Sequence, residues 1–235
     1  FWPDEGYTKG DLIEYYSAVS EHLLPYLADR PLVLDRYPDG IDGKSFFQKN
    51  APDFAPDWVR TEHVAAGGSS NTYFIVDDVE ALRYLANLAT IPIHVWASTL
   101  GNIGSPDWCV LDLDPKDAPF SSVVVVAKAI KATCDEMGLP SYPKTSGKTG
   151  LHILIPMGRG FDYGQQRLLG ELIARLVESK LGDVATTVRN PRARDGKVYL
   201  DYLQNGRGKL IVSPYSVRPV PGATVSAPLR WREVS

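Results

Sequence analysis

Asp112 and Asp114, separated by Leu113 in Trp-Cys-Val-Leu-Asp-Leu-Asp-Pro, are the residues whose type and spacing speak most directly of chemistry. The apolar run from Trp108 to Leu111 predicts a buried strand that Pro115 ends. Alternation along a strand sends both carboxylates to one side, about 6–7 Å apart along the backbone. Two like charges at the end of a core strand repel and cost desolvation energy unless something positive lies between them. A hard divalent cation such as Mg²⁺ or Mn²⁺, which prefers oxygen ligands, meets that need. A strand-to-loop turn capped by aspartate is the plainer alternative.

A third acid, Asp201, lies in Val198-Tyr199-Leu200-Asp201-Tyr202, again within an apolar strand and on the same face as Tyr199 and Leu203. Three strand-borne aspartates suit two cations about 4 Å apart, as in phosphoryl transfer. A solvent-facing aspartate on an edge strand is the competing reading. Between these acids runs Thr145-Ser146-Gly147-Lys148-Thr149-Gly150-Leu151-His152. Its Gly-Lys-Thr triplet is not a P-loop, because Tyr142 stands where that motif needs glycine and a strand follows instead of a helix. The turn still suits a phosphate-binding backbone nest, with Ser146 and Lys148 as donors and His152 within reach of a phosphate; a plain hairpin turn is the alternative.

His94, in Ile93-His94-Val95-Trp96, is either a satisfied core histidine or a site residue. Phe46 and Phe47 must face opposite sides of their strand, so one ring is expected in the core and the other free to stack on a base. Lys49 follows on the face of Phe47. Arg189, Arg192, Arg194 and Lys197 form a basic loop opposed only by Asp195, suited to a phosphate backbone or simply solvated. Arg218 is a further candidate phosphate clamp.

The elements that must position these residues follow from periodicity and punctuation. A helix is expected from Thr8/Asp11 to about Leu27, then a strand at 31–37, a turn at Pro38-Asp39-Gly40 and a returning strand at 44–49. Strands at 58–64 and 72–76 flank a Gly67-Gly68-Ser69-Ser70 tip, followed by a helix capped by Asp77/Asp78 and a strand at 93–97. After the aspartate strand, Ser121 or Ser122 is expected to cap a helix reaching Met137, with a hairpin at 141–156 and a helix at 161–180. Strands at 197–203 and 209–212 surround Asn205-Gly206. Hairpins interrupting helices indicate an α+β fold.

At 235 residues the chain is long enough for one large domain or two closely packed lobes. Its charged fraction of 23% and net charge of −3 neither advertise nor exclude nucleic acid, since an acidic cluster can offset a local basic surface. No run approaches a membrane span, no signal-peptide pattern opens the sequence, and Cys109 and Cys134 lack metal-type spacing, so a reducing cytoplasm is expected.

Taken in order, Tyr7-Thr8-Lys9, Arg36-Tyr37-Pro38-Asp39-Gly40, Phe46-Phe47-Gln48-Lys49, Ile93-His94-Val95-Trp96, Asp-Leu-Asp-Pro, Ser146-Gly147 with Gly150-Leu151-His152, and Asp201-Tyr202-Leu203-Gln204-Asn205 resemble the polymerase domain of bacterial DNA ligase D, in the archaeo-eukaryotic primase superfamily. The resemblance covers essentially the whole chain. It implies a primase-polymerase fold: an α/β lobe packed on an RNA-recognition-motif-like lobe, with the active site in the cleft between. Residues 1–100 would form an N-terminal lobe, 101–220 the catalytic lobe and 221–235 an extended tail.

The resemblance also implies nucleotide addition with NTP or dNTP at DNA breaks during non-homologous end joining, with two Mn²⁺ or Mg²⁺ ions held by Asp112, Asp114 and Asp201. Nucleotide binding falls to Phe47, Lys49, His94, Ser146, Lys148, His152, Gln204 and Arg218. DNA binding falls to Lys9, which would grip a 5′-phosphate, and to Phe46, Arg189, Arg192 and Arg194. Implied partners are 5′-phosphorylated DNA ends, ligase and nuclease modules and the end-binding Ku protein, with no membrane, in the cytoplasm near the nucleoid. Some relatives carry the turn's basic residue directly before the second glycine, where Thr149 stands here.

Two rivals belong to other classes. A phosphohydrolase would use Asp112 as nucleophile and Asp114 as acid, although that motif prefers Thr or Val where Lys116 stands. A non-catalytic DNA-end binder would rely on Lys9, Phe46, Phe47 and the basic loop alone.

Overall fold

The computed structural model describes residues 1–66 and 69–235, so Gly67 and Gly68 of the expected tip lie outside the described residues. The fold is α+β, with two separate sheets in two compact units, residues 1–103 with 210–226 and residues 104–209 with 227–235.

In the first unit, α1 (Lys9–Ala18) opens with a capping box in which the Thr8 and Asp11 side chains each accept from the other's backbone N–H. The expected single helix is broken at Val19, and a second helix, α2 (Ser20–Leu27), follows with Pro25 inside it. Strand β1 (Leu32–Arg36) turns through Gly40, whose φ of +82° suits glycine, into β2 (Phe46–Gln48). Then come β3 (Thr61–Ala66), β4 (Ser69–Phe74), α3 (Val79–Asn87) capped by Asp78, and β5 (Thr90–Val95).

Among the described residues β2 pairs only with β1, beside the main path of the sheet. Both Phe46 and Phe47 are therefore exposed, at 47% and 62%, which corrects the expectation that one ring would enter the core.

The second unit starts with β6 (Trp108–Asp114) and α4 (Phe120–Glu136). Neither Ser121 nor Ser122 caps α4. The helix begins earlier, after an extended Pro119 whose side chain makes no cap. The hairpin strands β7 (Tyr142–Thr145) and β8 (Leu151–Pro156) precede α5 (Tyr163–Lys180), which carries an Asp162/Gln165 capping box. A short strand missed in the sequence, β9 (Ala185–Thr186), pairs in parallel with β10 (Val198–Asp201). The sheet order is β7-β8-β6-β10-β9.

The segments around Asn205-Gly206 do not pair with each other. The Asn205 amide takes both backbone groups of Val110, accepting from its N–H at 2.8 Å and donating to its carbonyl at 2.7 Å, which pins the segment to β6. The chain then crosses to the first unit, where β11 (Ile211–Val212) pairs with Val95 and His94 of β5. Residues 210–220 thus pack with the first unit rather than with an unbroken 101–220 lobe, because Ile211, Val212 and Val217 bury their side chains there.

Alternation decides which face of the second sheet does what. Cys109, Leu111 and Leu113 of β6, Leu151, Ile153 and Ile155 of β8, and Val198 and Leu200 of β10 share one core with residues of α4 and α5. Each fully buried aliphatic side chain there contributes about 1.5–3 kcal/mol. The intervening residues, Asp112, Asp114, His152, Tyr199 and Asp201, fall on the opposite face. Among the described residues no helix is long and apolar enough to cross a membrane.

Candidate active site

Four adjacent strands set one row of polar side chains across the second sheet. Lys144 of β7 lies opposite His152 of β8, His152 opposite Asp112 of β6, and Asp112 opposite Asp201 of β10. Asp114 lies one step along, opposite Tyr199. The antiparallel register of β6 with β8 and β10 thereby gathers onto one face all three acids expected to act together.

The row is bonded. Lys144 Nζ is 2.8 Å from His152 Nδ1, and His152 Nε2 is 3.3 Å from Asp112 Oδ1. Asp201 Oδ1 accepts from the Leu203 N–H at 2.8 Å and from the Tyr199 hydroxyl at 3.3 Å, while Oδ2 accepts from Gln204 Nε2 at 3.0 Å. Gln204 thus orients Asp201. Burial and the facing charge of Asp112 raise the Asp201 carboxyl above its ordinary range, against the lowering effect of those three donors. Burial, then the Asp201 charge, pushes the Tyr199 phenol up to about 12, so it stays a donor.

Asp114 is held differently. Arg194 Nη1 donates to its Oδ2 at 2.7 Å, and the buried guanidinium lies 4.0 Å from the centroid of the Tyr199 ring. Further donations to the Val188 and Arg189 carbonyls fix Arg194 in its loop. Arg189 and Arg192 are exposed, but Arg194 is buried and turned to the acids.

The glycine turn folds on its serine. Ser146 Oγ accepts from the backbone N–H groups of Lys148 and Gly150 at 3.1 and 3.0 Å. Gly147 has a φ of +72°, and a Cβ on Gly150 would stand 1.9 Å from the Leu113 carbonyl oxygen. Only glycine lets this turn lie against the end of the aspartate strand. Lys148 is exposed at the turn.

The oxygen donors fit a hard divalent cation: Asp112 and Asp201 face one another, and their mutual charge is what a cation would relieve. The fit is incomplete, since Asp114 is engaged by Arg194 and, among the described residues, no three His, Cys, Asp or Glu side chains form a ready-made metal cluster.

Residues 8–235 match the family described as LigD, primase-polymerase domain. The chain belongs to that family. It is 39% identical to the bifunctional non-homologous end joining protein LigD of Bacillus subtilis, over 97% of this chain and 37% of that protein. It is 30% identical to the multifunctional LigD of Mycolicibacterium smegmatis, over 100% of this chain and 31% of that protein. The chain thus spans about a third of the length of these relatives. In three dimensions it is similar to the polymerase domain of Mycobacterium tuberculosis ligase D, solved in complex with DNA. There the TM-score is 0.93 and the identity 30%, over 99% of this chain and 84% of that one. Membership of the LigD primase-polymerase family makes this a nucleotidyltransferase domain and implies use of a divalent metal.

The other expected LigD site residues lie in the first unit. The Phe47 ring packs against His94 with centroids 5.9 Å apart, and Arg36 lies over the Phe46 ring at 5.3 Å. His94 is half-buried rather than a closed core residue. Lys9 is the first residue of α1, with its ammonium 5.7 Å from the Phe1 ring centroid. Lys49, just past β2, is exposed, and Arg218, after β11, is half-buried.

Sequence reasoning missed Lys144 and the platform role of Tyr199. The signal for Lys144 was the hairpin register: pairing Thr145 with Leu151 puts Lys144 opposite His152. Tyr199 was visible as a same-face neighbour of Asp201 but not as a support for Arg194.

Proposed function

We propose that this domain adds nucleotides, NTP or dNTP, to the 3′ end of DNA at gaps and double-strand breaks, in the setting of non-homologous end joining. The observation that carries the reading is the facing pair Asp112 and Asp201 on adjacent strands, with Asp114 on the same face, in a chain of the LigD primase-polymerase family.

Asp112, Asp114 and Asp201 would hold two divalent ions, which when bound supply Lewis acidity at the 3′-hydroxyl and at the leaving pyrophosphate. Gln204, the Leu203 N–H and Tyr199 orient the Asp201 carboxylate, so its oxygens are set before substrate arrives. His152 and the Ser146 hydroxyl would offer donors to triphosphate oxygens, with the exposed Lys148 at the edge of the turn. His94, Arg218, Phe47 and Lys49 would serve the nucleotide, and Lys9, Phe46, Arg189 and Arg192 the DNA. Exposed aromatic rings on β2 suit stacking on bases. Ligase and nuclease modules and Ku are the partners such a role calls for.

The test is extension of a 5′-phosphorylated gapped duplex by the wild type, Asp112→Ala and Asp201→Ala, with NTP or dNTP and Mn²⁺ or Mg²⁺. The wild type should extend the primer and release pyrophosphate, and both variants should fail. Near-normal extension by either variant, or release of inorganic phosphate in place of pyrophosphate, would sink the assignment.

A further inference from the structure

Lys144 is 2% exposed and lies in register with His152, on the face of the sheet opposite the aliphatic core. Burying an ammonium costs desolvation energy unless polar partners meet it, and the geometry shows one. Nζ stands 2.8 Å from His152 Nδ1, and the two residues face one another across the β7–β8 hairpin.

An ammonium has three donors and no acceptor. With the ammonium as donor, Nδ1 is the acceptor and the ring proton sits on Nε2, the atom that stands 3.3 Å from Asp112 Oδ1. A ring flip would present a carbon to Lys144, so the same contact fixes the ring's orientation.

We propose that Lys144 is a positioning residue for His152, setting the imidazole so that it presents an N–H, and not a lone pair, on the face of the sheet that carries Asp112. His152 so oriented is a hydrogen-bond donor to carboxylate or phosphate oxygen and is unavailable as a metal ligand through Nε2. The consequence for catalysis rests on the nucleotide-addition reading above; the ring orientation does not.

The experiment is ¹⁵N NMR of the histidine ring nitrogens in the whole chain, comparing wild type, Lys144→Met and Lys144→Arg, with Mg²⁺ absent and present. The wild-type His152 should show a protonated Nε2 and an unprotonated Nδ1 in both conditions. Lys144→Arg should keep that signature. Lys144→Met should lose it while the chain stays folded, with a nucleotide KM raised about tenfold, the worth of one hydrogen bond from an oriented donor. A wild-type ring protonated at Nδ1, alone or together with Nε2, would overturn the proposal. So would a Lys144→Met ring signature identical to wild type. Absence of nucleotide addition by the wild type would overturn the functional reading, while the ring signature alone decides the role of Lys144.

Discussion

Arg194 donates to Asp114 at 2.7 Å from a guanidinium stacked on the Tyr199 ring, whose hydroxyl in turn donates to Asp201. Two of the three acids are therefore linked through one arginine and one tyrosine, and Asp114 already has a positive partner. A cation that uses Asp114 must compete with that partner.

Arg194→Met frees Asp114. Mn²⁺ binding to the protein without nucleic acid should tighten about tenfold, the worth of one charge-assisted hydrogen bond. Manganese EPR titration reads this directly, and an unchanged affinity would mean that Asp114 takes no part in binding the ion.

Asp201 gives a prediction with a definite sign in pH. Its carboxyl is raised above 3.8 by burial and by Asp112, so the folded state holds that proton more tightly than the unfolded chain does. The stabilising proton is fully present below the unfolded value and lost as pH rises through the raised one. Asp201→Asn should therefore raise the unfolding midpoint at pH 7 in chelator. The gain should fade as pH falls toward 3.8, and Mn²⁺ should stabilise the wild type more than the variant. A gain that is the same at every pH would contradict the charge origin.

Gly150 and Gly147 should differ although they share a turn. Gly147→Ala meets the strain of positive φ, about 1–2 kcal/mol. Gly150→Ala drives a Cβ into the Leu113 carbonyl and should shift the strand end between Asp112 and Asp114. Chemical denaturation should rank Gly150→Ala as the larger loss, and only that variant should abolish extension while still folded.

Phe47→Ala should leave stability within about 0.5 kcal/mol, since the ring is exposed. It should weaken binding of primer–template or nucleotide by about 1–3 kcal/mol if the ring stacks on a base. Fluorescence anisotropy with labelled DNA and a nucleotide KM measurement together check this. An unaltered affinity in both would remove Phe47 from the site.

Much of this was legible in the sequence because it depends on local rules. Period-two alternation alone put Asp112 and Asp114 on one face and Asp201 with Tyr199. Capping chemistry at Thr8 and Asp78 marked helix starts where a side chain reached its own backbone. It failed at Ser121, where Pro119 set the start without a side-chain bond. The family resemblance rested on short ordered motifs, and these survive as sequence.

Contacts between partners far apart in the chain came from tertiary packing. Asp112 faces Asp201 because β10 lies beside β6, and Asn205 is tied to Val110 because their hydrogen-bonding groups meet across 95 positions. Arg194 read as one of four loop cations, yet it is buried and committed to Asp114, 80 residues away. Lys144 was silent until the hairpin closed on His152. Alternation and capping are encoded within a few residues, so the sequence by itself determined which side chains share a face. Register between strands, and the desolvation that turns a surface charge into a fixed one, arise only when distant segments pack, and they decided which of those side chains touch.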